Sequence, residues 1–217
     1  MPNHVKNRLT IIGDEKSVES IRCFLEGEPF ENGEKRLVDF NKIVQCPEII
    51  KQVGNIHIGI EHKIKQKYNI TRDLYKEVVL RQDDLPAFEK ACKAYEETGF
   101  IYWYDWNIEN WGTKWNAYDF DYETPKNILV WRTAWSDVRG LIKKLSLKFA
   151  NIEFLYDWAD EDIGHNCGRT IIKNGEAFVN DLEQGSRQAY EMSFDLMPEY
   201  REHYRIVDGE YEQIDDE

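Results

Sequence analysis

Between residues 160 and 167 the chain holds Asp160, Glu161, Asp162, His165 and Cys167. Carboxylates, an imidazole and a thiol this close together are the donor set from which a metal site could be built. The candidate ligands are Asp160, Asp162, His165 and Cys167. Their spacing matches no ligand pattern with a defined geometry, and neighbouring acids are the usual content of a solvated loop. No metal is therefore expected, and a small metal-assisted enzyme using this loop stands as an alternative. His57 and His62 have Gly59 between them. They lack the i, i+4 helical spacing of zinc hydrolases.

A second candidate is chemical in a different way. Asn110, Trp111, Lys114, Trp115 and Asn116 lie in the run Asn110-Trp111-Gly112-Thr113-Lys114-Trp115-Asn116-Ala117. Indole rings offer flat apolar area, and amides and an ammonium offer directed donors, so this segment could form a recognition surface. The alternative is a strand and turn in which Trp111 packs into the core, Gly112 permits the turn and Asn116 bonds backbone. A third candidate is the basic run Lys63, Lys65, Lys67, Arg72, Lys76 and Arg81, which could meet phosphate. More often such a run is a solvated helix face, or pairs with the chain's own acids.

Composition weighs on these choices. Lys and Arg number 28 against 41 Asp and Glu, a net charge of -13. That charge repels phosphate backbones and disfavours nucleic-acid binding. No Walker loop, GxGxxG, GxSxG or kinase signature occurs, which disfavours a nucleotide enzyme, and no cofactor is expected. The cysteines Cys23, Cys46, Cys92 and Cys167 have no CxxC spacing, so neither a disulfide framework nor a zinc knuckle is expected. The opening MPNHVKNRLTII lacks the pattern of a secretory signal, and no run approaches a membrane span, so a cytoplasmic protein is expected. With 13% aromatic residues the chain can bury a sizeable core.

The elements that must position these residues follow from periodicity. Asn7–Ile12 reads as a strand. Asp14 can cap a helix carrying Val18, Ile21 and Leu25, closed by Gly27. Leu37–Val44 reads as a second extended segment. The stretch 45–67 reads as loop or short strand. Thr71 could cap a helix through Leu80, and Asp83 or Asp84 begins another with Pro86 in its first turn, the stripe Phe88, Cys92 and Tyr95, and Gly99 at its end. Asn127–Trp135 reads as a strand. Ser136 caps a helix with Val138, Leu141, Ile142, Leu145 and Phe149 on one face. Ile152, Phe154, Tyr156 and Trp158 form the buried face of a further strand. Asn174-Gly175 marks a type I′ hairpin. From Ser186 a short helix followed by a strand or an extended tail is expected, with the last residues of acidic Val207–Glu217 frayed.

Two β–α–β units emerge: Asn7–Ile12 with Leu37–Val44, and Asn127–Trp135 with Asn151–Trp158. The expected fold is α+β, a ferredoxin-like split β–α–β core with a helical insertion over about 45–99 and a C-terminal hairpin and acidic tail over about 166–217, all one domain over 1–217.

Four segments carry a family resemblance. They are Met1-Pro2-Asn3 with Asn7-Arg8-Leu9-Thr10; Phe40-Asn41-Lys42-Ile43-Val44 with Pro47-Glu48; the 110–117 run; and Thr133-Ala134-Trp135-Ser136. Together they resemble the YubB-like, Api-type family of phages and plasmids. Asp137 stands where that family commonly has proline, and the 160–167 loop and the tail are less family-like. The resemblance implies a ferredoxin-like core and a mobile-element setting, and no activity. "Ferredoxin-like" names a fold here, and four scattered cysteines argue against an iron–sulfur cluster. A non-catalytic protein-interaction module is the expected function, with a protein partner. The metal-assisted enzyme and a nucleic-acid binder using 63–81 are the alternatives.

Overall fold

The computed structural model describes residues 3–53, 64–69 and 85–214. In chain order its elements are β1 (His4–Ile12), α1 (Glu15–Leu25), α2 (Phe40–Ile43), α3 (Glu48–Val53), α4 (Leu85–Thr98), α5 (Trp103–Trp111), β2 (Tyr118–Asp121), β3 (Ile128–Ala134), α6 (Arg139–Lys148), β4 (Glu153–Asp160), β5 (Cys167–Lys173), β6 (Glu176–Asp181), α7 (Arg187–Leu196), a 3-10 helix (Pro198–His203), β7 (Tyr204–Val207) and β8 (Glu210–Gln213). Residues 64–68 are also helical. The chain forms two compact units, Met1–Ile43 with Gly112–Glu217, and Val44–Trp111. No helix among the described residues is long and apolar enough to cross a membrane.

The first unit is built on a six-stranded sheet in the order β2-β3-β1-β4-β5-β6, with every pairing antiparallel. Its first four positions, β2-β3-β1-β4, are the ferredoxin-like arrangement. β3 and β4 run parallel to each other with β1 between them, joined by α6, which is the expected second β–α–β unit. The first unit closes differently from expectation. Leu37–Val44 is not a strand, and the strand that completes the unit after β1 and α1 is β2. Leu37, Val38, Phe40 and Ile43 are buried from a turn and the short helix α2. The Asp39 carboxylate accepts the Asn41 backbone N–H at 2.9 Å and turns the chain into that helix.

Period-2 alternation sorts the sheet into two faces. Val5, Asn7, Leu9 and Ile11 of β1 are buried on one face. Asn7 lies opposite Trp131 of β3 and Trp158 of β4. Tyr156 stacks on both of these rings, at 6.3 and 5.7 Å between centroids. Asn7 is fully buried, and its amide bonds resolve that burial: Nδ2 donates to Thr133 Oγ1 and to the Val5 carbonyl, each at 2.9 Å. The Tyr156 hydroxyl donates to Asn7 Oδ1 and accepts the Val138 N–H. Complete burial pushes the Tyr156 phenol well up from its ordinary value. Through the Val138 bond, α6 starts on this face, and α2 touches both α1 and α6.

The opposite face is partly covered by α7. Arg8 and Arg169, register neighbours of Asp157, both clasp its buried carboxylate. Arg8 also reaches Asp195 of α7 at 2.6 Å. Ala159 and Cys167 join Ala189, Phe194, Leu196 and Met197 in a cluster against which Tyr190, Tyr204 and Tyr211 pack. β7 and β8 tie the chain into this unit as far as Gln213; the last residues, 215–217, where fraying was expected, lie outside the described residues. Asp208 and Gly209 carry positive φ, 51° and 93°, so Asp-Gly turns β7 into β8 as Asn174-Gly175 turns β5 into β6.

Two helix starts are instructive. Asp14 caps α1 as expected, its Oδ1 accepting the Ser17 N–H at 2.7 Å. Ser136 does not cap α6; its carbonyl accepts the Thr133 hydroxyl. The helix begins later, at Arg139, whose N–H bonds Asp137 Oδ1 at 2.8 Å.

The second unit is helical. The expected irregular stretch after Gln45 holds α3, which buries Ile50 and Val53. α4 carries Pro86 in its first turn, buries Ala91, Cys92 and Ala94, and ends at Gly99 with φ +78°. α5 belongs to the same unit, which ends at Trp111. The expected helix Thr71–Leu80 lies outside the described residues, as do His57 and His62.

Candidate functional site

The 110–117 run is split by its own backbone. Asn110 and Trp111 end α5, where the sequence suggested strand. Tyr104, Asn107 and Trp111 are buried at i, i+3 and i+7, the helical signal that the run of aromatics obscured. Asn110 Nδ2 donates back to the Trp106 carbonyl at 2.9 Å, and Trp111 Nε1 donates to the Val44 carbonyl at 2.9 Å. Trp111 is thus a buried, hydrogen-bonded ring, edge-on to Trp106. Gly112 then takes φ +81° and changes the chain's direction.

Past that turn the residues belong to the sheet unit. Thr113 is buried, and its hydroxyl donates to the Ala134 carbonyl at 2.8 Å. Asn116 bridges elements: Oδ1 accepts the Phe40 N–H at 2.9 Å and Nδ2 donates to Asp39 at 2.7 Å. Asn116 therefore ties the run to the start of α2.

Lys114 and Trp115 do something different. The Lys114 side chain is buried, with its ammonium 4.8 Å from the Trp115 ring centroid and 5.1 Å from that of Trp135. Both indoles are exposed, at 37% and 40%. An ammonium held against two aromatic faces is an attractive contact and fixes both rings. Trp115 meets Tyr118 edge-on at 6.0 Å, and the Tyr118 hydroxyl is hydrogen-bonded to His4 Nδ1 at 2.6 Å. Burial pushes the Tyr118 phenol up to about 12.

Trp135 is unusual in its backbone, with φ +68°. A bulky residue in the left-handed region costs roughly 1–2 kcal/mol. Its neighbours hold it there: the Trp135 N–H donates to the Asn3 carbonyl, and Thr113 Oγ1 accepts the Ala134 N–H. The sequence marks Trp135 as the end of a strand and as part of a family motif, not as a site residue, and it does not single out His4 or Tyr118. No local pattern marks them, because the pairing of β1 and β2 with β3 brings residues 4 and 118 to the end of β3, next to Trp135.

The 160–167 residues are not gathered into one site. Asp160 is buried, accepting from Asn3 Nδ2 and the Asp162 N–H through Oδ1 and from Asn166 Nδ2 through Oδ2. His165 Nδ1 lies 3.6 Å from Asp162. Cys167 donates to the Ala189 carbonyl inside the α7 cluster, and burial pushes its thiol up. Among the described residues, no group of three or more His, Cys, Asp or Glu could hold a metal ion. Of the basic run, Lys65 and Lys67 lie within the described residues; Lys67 sits 3.8 Å from Glu96 and over the Tyr68 ring. Lys63, Arg72, Lys76 and Arg81 lie outside them.

Residues 110–199 match the family model of the ferredoxin-like domain in Api92-like protein. That span runs from the end of α5 through α7, and leaves out β1, the central strand. The crystal structure of protein Api92 from Yersinia pseudotuberculosis is similar over 84% of this chain and 99% of that one, with TM-score 0.40 and 11% sequence identity. No curated protein matches the chain.

Proposed function

We propose that this chain is a non-catalytic protein-interaction module of a mobile element, and that it contacts its partner through the aromatic cluster around Lys114. One observation carries the reading: two exposed indoles, Trp115 and Trp135, are held in place by one buried ammonium. Rigid, exposed aromatic anchors are what protein interfaces use for affinity. The left-handed backbone at Trp135 supports the same reading, because such strain of roughly 1–3 kcal/mol clusters at functional positions. The resemblance of the 110–117 and 133–136 segments to phage and plasmid proteins supports the mobile-element setting. Four cysteines held as thiols, three of them buried, suit a reducing compartment such as the cytoplasm.

The test places p-benzoylphenylalanine, a photo-crosslinking amino acid that keeps an aromatic ring, at position 115 in host cells, with a second protein carrying it at exposed Glu199 as control. A protein captured at 115 and not at 199 is then purified and titrated against the wild type, Trp115→Ala and Trp135→Ala. Loss of binding in both variants is expected. Identical capture at the two positions, or variants that bind like the wild type, would sink the proposal.

A further inference from the structure

Next to Tyr118 the sheet unit carries an open groove of about 780 Å³ between the loop 29–36 and edge strand β2. Its walls combine two chemistries. Phe30, Phe120 and Tyr122 form a chain of rings, with centroids 6.1 Å apart for the first pair and 6.3 Å for the second. Glu31, Glu34 and Asp119 add three carboxylates, against the single guanidinium of Arg36. Asp119 is shared with Arg132 at 3.0 Å. Glu31 and Glu34 are exposed.

The groove already displays its preferred contact. The Arg36 guanidinium lies 4.2 Å over the Phe30 ring. A cation on an aromatic face beside carboxylates is attracted by both ring quadrupole and charge. The Tyr122 phenol is pushed up by burial first and then by Glu34 and Asp119, which shows the negative potential at that ring. β2 itself is a poor template for an added strand, because its register shifts between Tyr118 and Asp121 and Asp119 has φ +53°. Side chains, more than backbone, must therefore do the recognising.

We infer that this groove takes an arginine- or lysine-bearing segment of a protein partner, its cationic heads among Glu31, Glu34 and Asp119 and its stems across Phe120 and Tyr122. The inference rests on the interaction-module reading and names the chemistry of that partner. The groove adjoins the Lys114 cluster through Tyr118, which lines the one and touches Trp115 of the other.

The test is fluorescence anisotropy with a capped, labelled eight-residue probe that alternates arginine and serine, and a matching probe that alternates glutamate and serine. The cationic probe should bind saturably and weaken with salt, and the acidic probe should not bind. Neutralising the groove with Glu31→Gln and Glu34→Gln together should cost about tenfold in Kd, or ~1.4 kcal/mol. The same charge change placed elsewhere, Glu199→Gln with Glu202→Gln, should cost less than about twofold, the residue of long-range attraction after screening. Phe120→Leu, which keeps the charge, should also weaken binding through the lost ring contact. Equal losses in the two doubly neutralised proteins would mean diffuse attraction to an acidic protein, and would overturn the inference. So would the absence of saturable binding. Neither result bears on crosslinking at position 115, so the two readings fail separately.

Discussion

Trp131 and Trp135 lie two pleats apart, one within β3 and the other just past its end, and they have opposite fates. Strand alternation alone would place both rings on the helix-covered face. Trp131 obeys, fully buried and stacked on Tyr156. At Trp135 the backbone turns left-handed, the alternation ends, and the ring finishes 40% exposed beside Lys114. One residue type thus serves as core in one place and as surface anchor in the other. The difference lies in the backbone and its bonds to Asn3 and Thr113, not in the side chain.

The comparison can be broken most forcefully from the core side. Trp158→Ala, which empties the stack beneath Tyr156, should cost about 3–5 kcal/mol in denaturant titration. A loss below ~1 kcal/mol would mean that the stack is not the core. Asn116→Ala should cost about 1–3 kcal/mol, because it leaves the buried-side partners of Asp39 and Phe40 unmet. A wild-type melt would return Asn116 to the surface candidates. Trp135→Gly should lie near the wild type, within about 0.5 kcal/mol, since relief of left-handed strain offsets lost ring contact. That same variant should still lose the partner, which separates anchor from scaffold.

Titration sharpens the site's edge. Tyr118 has its phenol raised from 10.0 to about 12, so the folded state holds this proton longer than the unfolded chain. Stability should be unaffected by this group below pH 10 and should fall as pH rises from 10 to about 12. Tyr118→Phe should remove that part of the decline in melts taken across the window. Thiol chemistry gives the smallest effect on the fold: exposed Cys23 should react first with an aromatic disulfide reagent. Buried Cys46, its thiol pushed up to about 11, should react last together with Cys167. Prompt reaction of all four in the native protein would contradict the described burial.

How much was legible in advance depended on range. Asp14, the Leu141–Leu145 stripe and Asn174-Gly175 act within a few residues of themselves, and each does what its pattern implies. Leu37–Val44 failed because Val38, Phe40 and Ile43 fit either a strand or a helical turn, and the deciding bond comes from Asn116. Asp208-Gly209 has the same turn chemistry as Asn174-Gly175, but the strands it joins are four residues each and mostly exposed, so no buried alternation marks them. In the candidate site, Lys114 and Trp115 were visible as types in a rare run, yet nothing local distinguished Trp115 as exposed from Trp111 as buried.

The sequence by itself determined the α+β class, the second β–α–β unit, and an acidic chain rich in aromatic side chains. Those follow from periodicity, capping and charge, which act locally or simply add along the chain. Only the tertiary structure decided which strand completes the first unit, that α7 covers part of the second sheet face, and that His4, Lys114, Trp115, Tyr118 and Trp135 meet. Those contacts depend on strand register across more than a hundred residues, and a side chain's burial is a property of what is packed against it.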